Sequence, residues 1–114
     1  LVGHTYGKLV MAHQQVTVAR IYLREGEHLL SKLMKFLHDE ERVAGVTVLR
    51  GMSGFGKDGK IHTASLVDLS LDLPLVVEFY DEPDRVDAVI HKLVQQMDLG
   101  HILTLSAVRH RKDE

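Results

Sequence analysis

Between residues 51 and 60 the chain carries four glycines, Gly51, Gly54, Gly56 and Gly59, among Arg50, Lys57 and Lys60. Gly54, Gly56 and Gly59 satisfy G-x-G-x-x-G, and Gly54 with Gly59 and Lys60 satisfies G-x-x-x-x-G-K. Either pattern cradles phosphate when it lies between a strand and a helix whose N-terminus faces the anion. Here the loop runs into Ile61–Ser65, which reads as strand. Ile61 also stands where a Ser or Thr for Mg2+ would follow the lysine. Both departures argue against a dinucleotide fingerprint and against a P-loop. The physics of such a loop still applies, because successive glycine amides make an anion nest and the neighbouring cations add charge. The competing reading is a flexible hairpin with Asp58-Gly59 as its tight turn. Composition favours the hairpin, while length and glycine density favour a working loop.

Other chemistry-bearing residues carry less. The eight histidines are His4, His13, His28, His38, His62, His91, His101 and His110. No pair has the i, i+4 or H-x-H spacing of a recognised metal site, and most fall on polar helix faces or at element ends. No metal ligand set is therefore assigned. His62 stands apart because it closes the glycine loop beside Thr63 and Ser65; it either faces a ligand phosphate or finishes a hairpin. Asp81, Glu82 and Asp84 read as helix capping and dipole compensation rather than as an acid–base cluster. The serines lie in no nucleophile-elbow context and no triad is legible, so no catalytic residue is assigned and the chain is not read as an enzyme. Phe55 in the loop can stack on a base or anchor the loop to a neighbouring subunit.

These residues need elements to position them. Val16–Leu23 is β-branched and aromatic and reads as the first strand. Leu29, Leu30, Leu33, Met34 and Leu37 form the stripe of a helix, with Gly45 as its stop. Val46–Arg50 is the second strand and 51–60 the loop. Ile61–Ser70 and Leu75–Tyr80 read as a third strand broken at Asp72-Leu73-Pro74. A helix with an Asp cap and Pro83 in its first turn carries Val86, Val89, Ile90, Leu93, Val94 and Met97, and Gly100 ends it. His101–His110 is the last strand.

The order β-α-β-β-α-β predicts an α+β, ferredoxin-like βαββαβ sandwich: a four-stranded antiparallel sheet with two helices on one face. Alternation predicts that Ala19, Ile21 and Leu23, Leu75, Val77 and Phe79, and Leu103, Leu105 and Ala107 pack under the helices. The other face mixes valines and tyrosines with charge, so covering it with other subunits predicts an oligomer.

The length of 114 residues fits one domain, and 45% hydrophobic with 26% charged residues describes a folded one. A net charge of −2 argues against a nucleic-acid partner. The absence of cysteine excludes disulfide scaffolds and thiolate metal sites. No apolar run approaches membrane-helix length and no secretory signal is legible, so the expected location is cytoplasmic. Residues 1–15 are expected to be a loose N-terminal extension or an upstream remnant, because Met11 looks like a true start. Residues 16–114 are expected to be the single domain.

Three segments carry a resemblance: Gly45-Val-Thr-Val-Leu-Arg-Gly-Met-Ser-Gly-Phe-Gly56, Ile61-His-Thr-Ala-Ser65, and Leu69-Ser-Leu-Asp-Leu-Pro-Leu-Val-Val-Glu-Phe79. They resemble the PII-like proteins of domain of unknown function 190 over roughly residues 16 to 109. More distantly the chain is similar to PII signal-transduction proteins. Those proteins carry a Gly-x-Thr-Val strand, a Lys-Gly-Phe-Gly loop start, a Pro-Asp-Asp helix opening like Glu82-Pro83-Asp84-Arg85-Val86, and an Arg-x-Arg near the C-terminus like Arg109-His110-Arg111. The resemblance implies a ferredoxin-like homotrimer that binds an adenine nucleotide (AMP, ADP or ATP) in clefts between subunits. No cofactor is required. It would signal to an unidentified protein partner, membrane transporters and channels among the candidates, through loop 51–62. The implied contacts are Gly51, Gly54, Phe55 and Gly56 at the loop base and Arg109 and Arg111 on phosphate. Arg50 and His62 join them from the reading of the loop itself. PII proteins place a further glycine-and-lysine loop before the last strand, where this chain has only Asp98-Leu-Gly-His101. That makes AMP, ADP or a cyclic nucleotide easier to hold than a triphosphate. Two rival readings stand beside this one: a CutA-like divalent-metal-binding trimer, and an interaction module with no small ligand.

Overall fold

The structure is a computed structural model and describes residues 2–6, 9–63 and 72–112. Its strands are β1 (Val2–Tyr6), β2 (Leu9–Arg24), β3 (Gly45–Arg50), β4 (Ser53–Gly54), β5 (His62–Thr63), β6 (Pro74–Asp81) and β7 (Ile102–Lys112). Helix α1 (Leu30–Lys35) runs on into a π-type turn, Phe36–Glu40, and α2 spans Pro83–Gln96. The main sheet has the order β7-β2-β6-β3, every pair antiparallel, with β1 beside the N-terminal part of β2. This is the expected ferredoxin-like α+β arrangement.

The core lies between sheet and helices. Ala19, Ile21 and Leu23 of β2 and Leu75, Val77 and Phe79 of β6 meet Leu33, Phe36 and Leu37 on one side and Val86, Val89 and Leu93 on the other. Each large apolar side chain so buried contributes about 1.5–3 kcal/mol. The π-type turn widens the first helix where Phe36 and Leu37 both enter the core. Glu41, just past it, is buried and bonded by Arg85 and Lys92 of α2, which ties the two helices together.

Four expectations are corrected. The strand expected from Val16 begins at Leu9, because Met11–Gln15 pairs with Val108–Lys112; residues 2–6 and 9–15, expected in a loose extension, are ladder-paired. A pairing partner satisfies the backbone there whatever the polarity of Gln14 and Gln15. Second, Leu103 and Leu105 do not lie under the helices. The register sets them opposite Arg20 and Val18, on the open face, where they stay 45% and 44% exposed. Third, the first helix stops before Gly45, and residue 45 instead opens β3 against the Tyr80 ring. Fourth, the cap of α2 is Glu82, and the Asp81 carboxylate accepts the Glu82 amide rather than one inside the helix. Of the expected strand 61–70, His62–Thr63 is strand and residues 64–70 lie outside the described residues. Among the described residues no helix is long and apolar enough to cross a membrane.

Candidate functional site

The glycine loop leaves the sheet at the end of edge strand β3. Gly51 donates its amide to the Pro74 carbonyl at 2.7 Å, and a Cβ at position 51 would come within 2.7 Å of the Pro74 ring. Position 54 is tight against the same ring, at 3.2 Å. Both residues are glycine because backbone crosses Pro74 closely here. Beyond them the chain forms a short hairpin. Ser53–Gly54 pairs with His62–Thr63, and the Ser53 and Thr63 hydroxyls meet at 2.7 Å. At the tip the Gly59 amide donates to the Gly56 carbonyl at 3.0 Å, Gly59 takes φ +73°, and the Lys60 amide donates to the Asp58 carboxylate at 3.0 Å. Met52, Phe55 and Ile61 are exposed, Phe55 by 73%.

Two acids hold the base of this loop. Glu25 accepts from Arg50 Nε at 2.8 Å and from the Leu73 amide at 3.2 Å. The Arg50 hydrogen bond is the main reason that its carboxyl sits below the usual range, with desolvation opposing. Asp72 accepts from the Gly26 amide at 2.6 Å and pairs with Arg24 Nε at 2.8 Å and His62 Nδ1 at 3.5 Å. Beside this base a cleft of about 550 Å3 opens between Glu25, His28, Ser31 and Arg50 over Val48 and Leu75.

Arg50, Gly51, Gly54 and His62 are thus brought together around Pro74 and Asp72, with Phe55 and Gly56 further out on the hairpin. Arg109 and Arg111 are not part of this group. They sit on β7 opposite Gln14 and Ala12, whereas the loop base adjoins Arg24. Gln14 and Arg24 lie roughly 30 Å apart along an extended strand. Arg109 instead lies over the Tyr80 ring, 5.7 Å from its centroid, on the open face. Within one chain, no single nucleotide can touch both groups.

Glu25, Asp72 and Tyr80 went unnoticed in the sequence. Asp72 falls in the Asp72-Leu73-Pro74 break between strands and Glu25 precedes Gly26; only the fold shows that Glu25 meets Arg50 and Leu73 while Asp72 meets Gly26. Among the described residues no three of His, Cys, Asp or Glu stand close enough to hold a metal ion together.

A family model for domain of unknown function 190, described as Uncharacterized ACR, matches residues 16–109. A UPF0166 protein of Methanocaldococcus jannaschii is 32% identical over 102 residues, which covers 85% of this chain and 93% of that protein. A UPF0166 protein of Aquifex aeolicus is 33% identical over 67 residues, or 59% of this chain and 68% of that one. Among solved structures, CPII, a nitrogen regulatory PII-like protein from Thiomonas intermedia K12, bound to ADP, AMP and bicarbonate, aligns with a TM-score of 0.60 at 13% identity, over 90% of this chain and 92% of that one. The same protein bound to ADP and bicarbonate gives 0.59 at 13% identity, over 90% and 93%. CutA1 from Oryza sativa gives 0.50 at 15% identity, over 82% and 80%. At these identities the structures establish a common fold.

Proposed function

We propose a function from one premise: the chain belongs to the family of domain of unknown function 190 and has the fold of PII-like proteins. It is a regulatory protein, not an enzyme, that binds an adenine nucleotide between subunits and reports the bound state to a protein partner through loop 51–62. The carrying observation is the separation of the loop base from Arg109 along β2. A phosphate ligand reached by both must lie between two copies of the chain. The open sheet face supports such an assembly, since Leu49, Leu103 and Leu105 stand exposed on it beside half-buried Val18 and Val76. The ADP and AMP held by the CPII structures support an adenine nucleotide as the ligand. The short connection between α2 and β7 leaves room for few phosphate contacts, which favours AMP or ADP over ATP. Met52, Phe55 and Ile61 give the loop an apolar surface suited to a protein partner.

Isothermal titration of the full chain with AMP, ADP, ATP and cyclic AMP tests this. Saturable heat with AMP or ADP is expected, lost in Arg109→Ala. No heat with any of the four at millimolar concentration removes the nucleotide and leaves the ligand-free interaction module.

A further inference from the structure

His13 and His110 are far apart in the sequence, and their spacing signals nothing. The β2–β7 register sets them directly opposite one another. Directly opposed residues of an antiparallel pair hold their Cβ atoms about 4.5–5.5 Å apart on one face. The two imidazoles already touch, with ring centroids 4.2 Å apart and planes at 66°. Histidine nitrogens bind zinc at about 2.0–2.1 Å, so two nitrogens on one tetrahedral ion sit about 3.3 Å apart. Small side-chain rotations take this pair from ring contact to that spacing, while paired backbone on both strands holds the Cβ atoms in place.

From this geometry we propose that His13 and His110 chelate one divalent transition-metal ion per chain. His13 is half-buried and His110 exposed, so an ion can enter from solvent and keep water in its remaining positions. The same sheet carries His4 opposite Met11, two residues along β2 from His13. The donor set selects the metal. It holds imidazole nitrogen and no thiolate, and the residues flanking the pair on its own strands, Ala12, Gln14, Arg109 and Arg111, supply no carboxylate. That suits Cu2+, Ni2+ and Zn2+, with Cu2+ bound most tightly, and does not suit Mg2+ or Ca2+. Arg109 and Arg111 alternate to the other face of β7, and their charge tempers the affinity. The ion would pin β2 to β7 at the end of the sheet far from the loop. The site is distinct from the glycine loop, and its His110 stands between Arg109 and Arg111 on β7.

Two measurements on the full chain test the assignment. In the first, Ni2+ is titrated calorimetrically into wild type, His13→Phe, His110→Phe and His62→Ala. The Phe variants keep a ring at each position and remove a donor nitrogen. One ion per wild-type chain is expected, with at least about tenfold weaker binding in either Phe variant, since even a change behind a ligand costs 10–100-fold. His62→Ala should bind as wild type does. Equal binding by His110→Phe and wild type, loss in His62→Ala with retention in the Phe variants, or no binding at all overturns the proposal. The second needs no variant. Substoichiometric Cu2+ should broaden the ring resonances of His13 and His110 before those of the other histidines. Broadening that begins elsewhere overturns it.

Discussion

Each cation at the base of segment 51–62 has an acid beside it: Arg50 against Glu25, and Arg24 and His62 against Asp72. An incoming phosphate therefore competes with a carboxylate that is already in place, and Arg50 and His62 position the loop as well as offering charge. The Glu25 pair gives a pH test. Its folded carboxyl titrates below the ordinary value near 4.5, chiefly because Arg50 donates to it. The stability it adds is fully present above that value and is lost as pH falls through the lower folded value. Thermal melts of wild type and Glu25→Gln should differ at neutral pH and converge on acidification. Because the pair is exposed, added salt should also narrow the gap. A gap that widens toward low pH contradicts this account of Glu25. These roles were hidden in the sequence because Glu25 and Asp72 are 47 positions apart, on opposite sides of the loop they hold.

The glycine pattern divides at the level of elements. Its motif spacing says nothing of which glycines face a ligand. In the hairpin, Gly51 and Gly54 are pressed on Pro74, and the Gly51 amide is already donated, whereas Gly56 has open space around it. Gly51→Ala must push Pro74 away and should lose about 1–3 kcal/mol in urea unfolding. Gly56→Ala should stay within about 0.5 kcal/mol. Equal losses at both positions would mean that the hairpin does not cross Pro74 as described. The strands of the main sheet from Val16 onward and the two helices were legible, since β-branched runs and 3.6-residue stripes follow from which side chains must be buried, whereas β1 and the Leu9–Gln15 part of β2 were not. The face of β7 was not. Leu103, Leu105 and Ala107 alternate as a core strand does, and only the pairing of Leu105 with Val18 turns them outward. Register is a tertiary property, and a one-residue shift reverses every side chain. The same blindness concealed the His13–His110 contact.

At the scale of the whole molecule, the outward leucines matter more than any single site residue. Tyr22, Leu49, Leu103 and Leu105 leave the open face partly apolar, with the Arg20–Glu78 pair at 2.9 Å in its midst. A monomer would keep that surface wet; an oligomer buries it. Leu105→Asp places a charge opposite Val18 and should shift the assembly toward single chains, with at least tenfold weaker association by sedimentation. Unchanged sedimentation would mean that the sheet face is not the interface. The proposed nucleotide site depends on that interface, because one chain separates the loop base from Arg109 by the length of β2. Native mass spectrometry with ADP present reads assembly and ligand together. The account predicts trimers near three times the 12.9 kDa chain mass, carrying up to three ADP, and single chains carrying none. Single chains that hold ADP as well as the trimers do would contradict it.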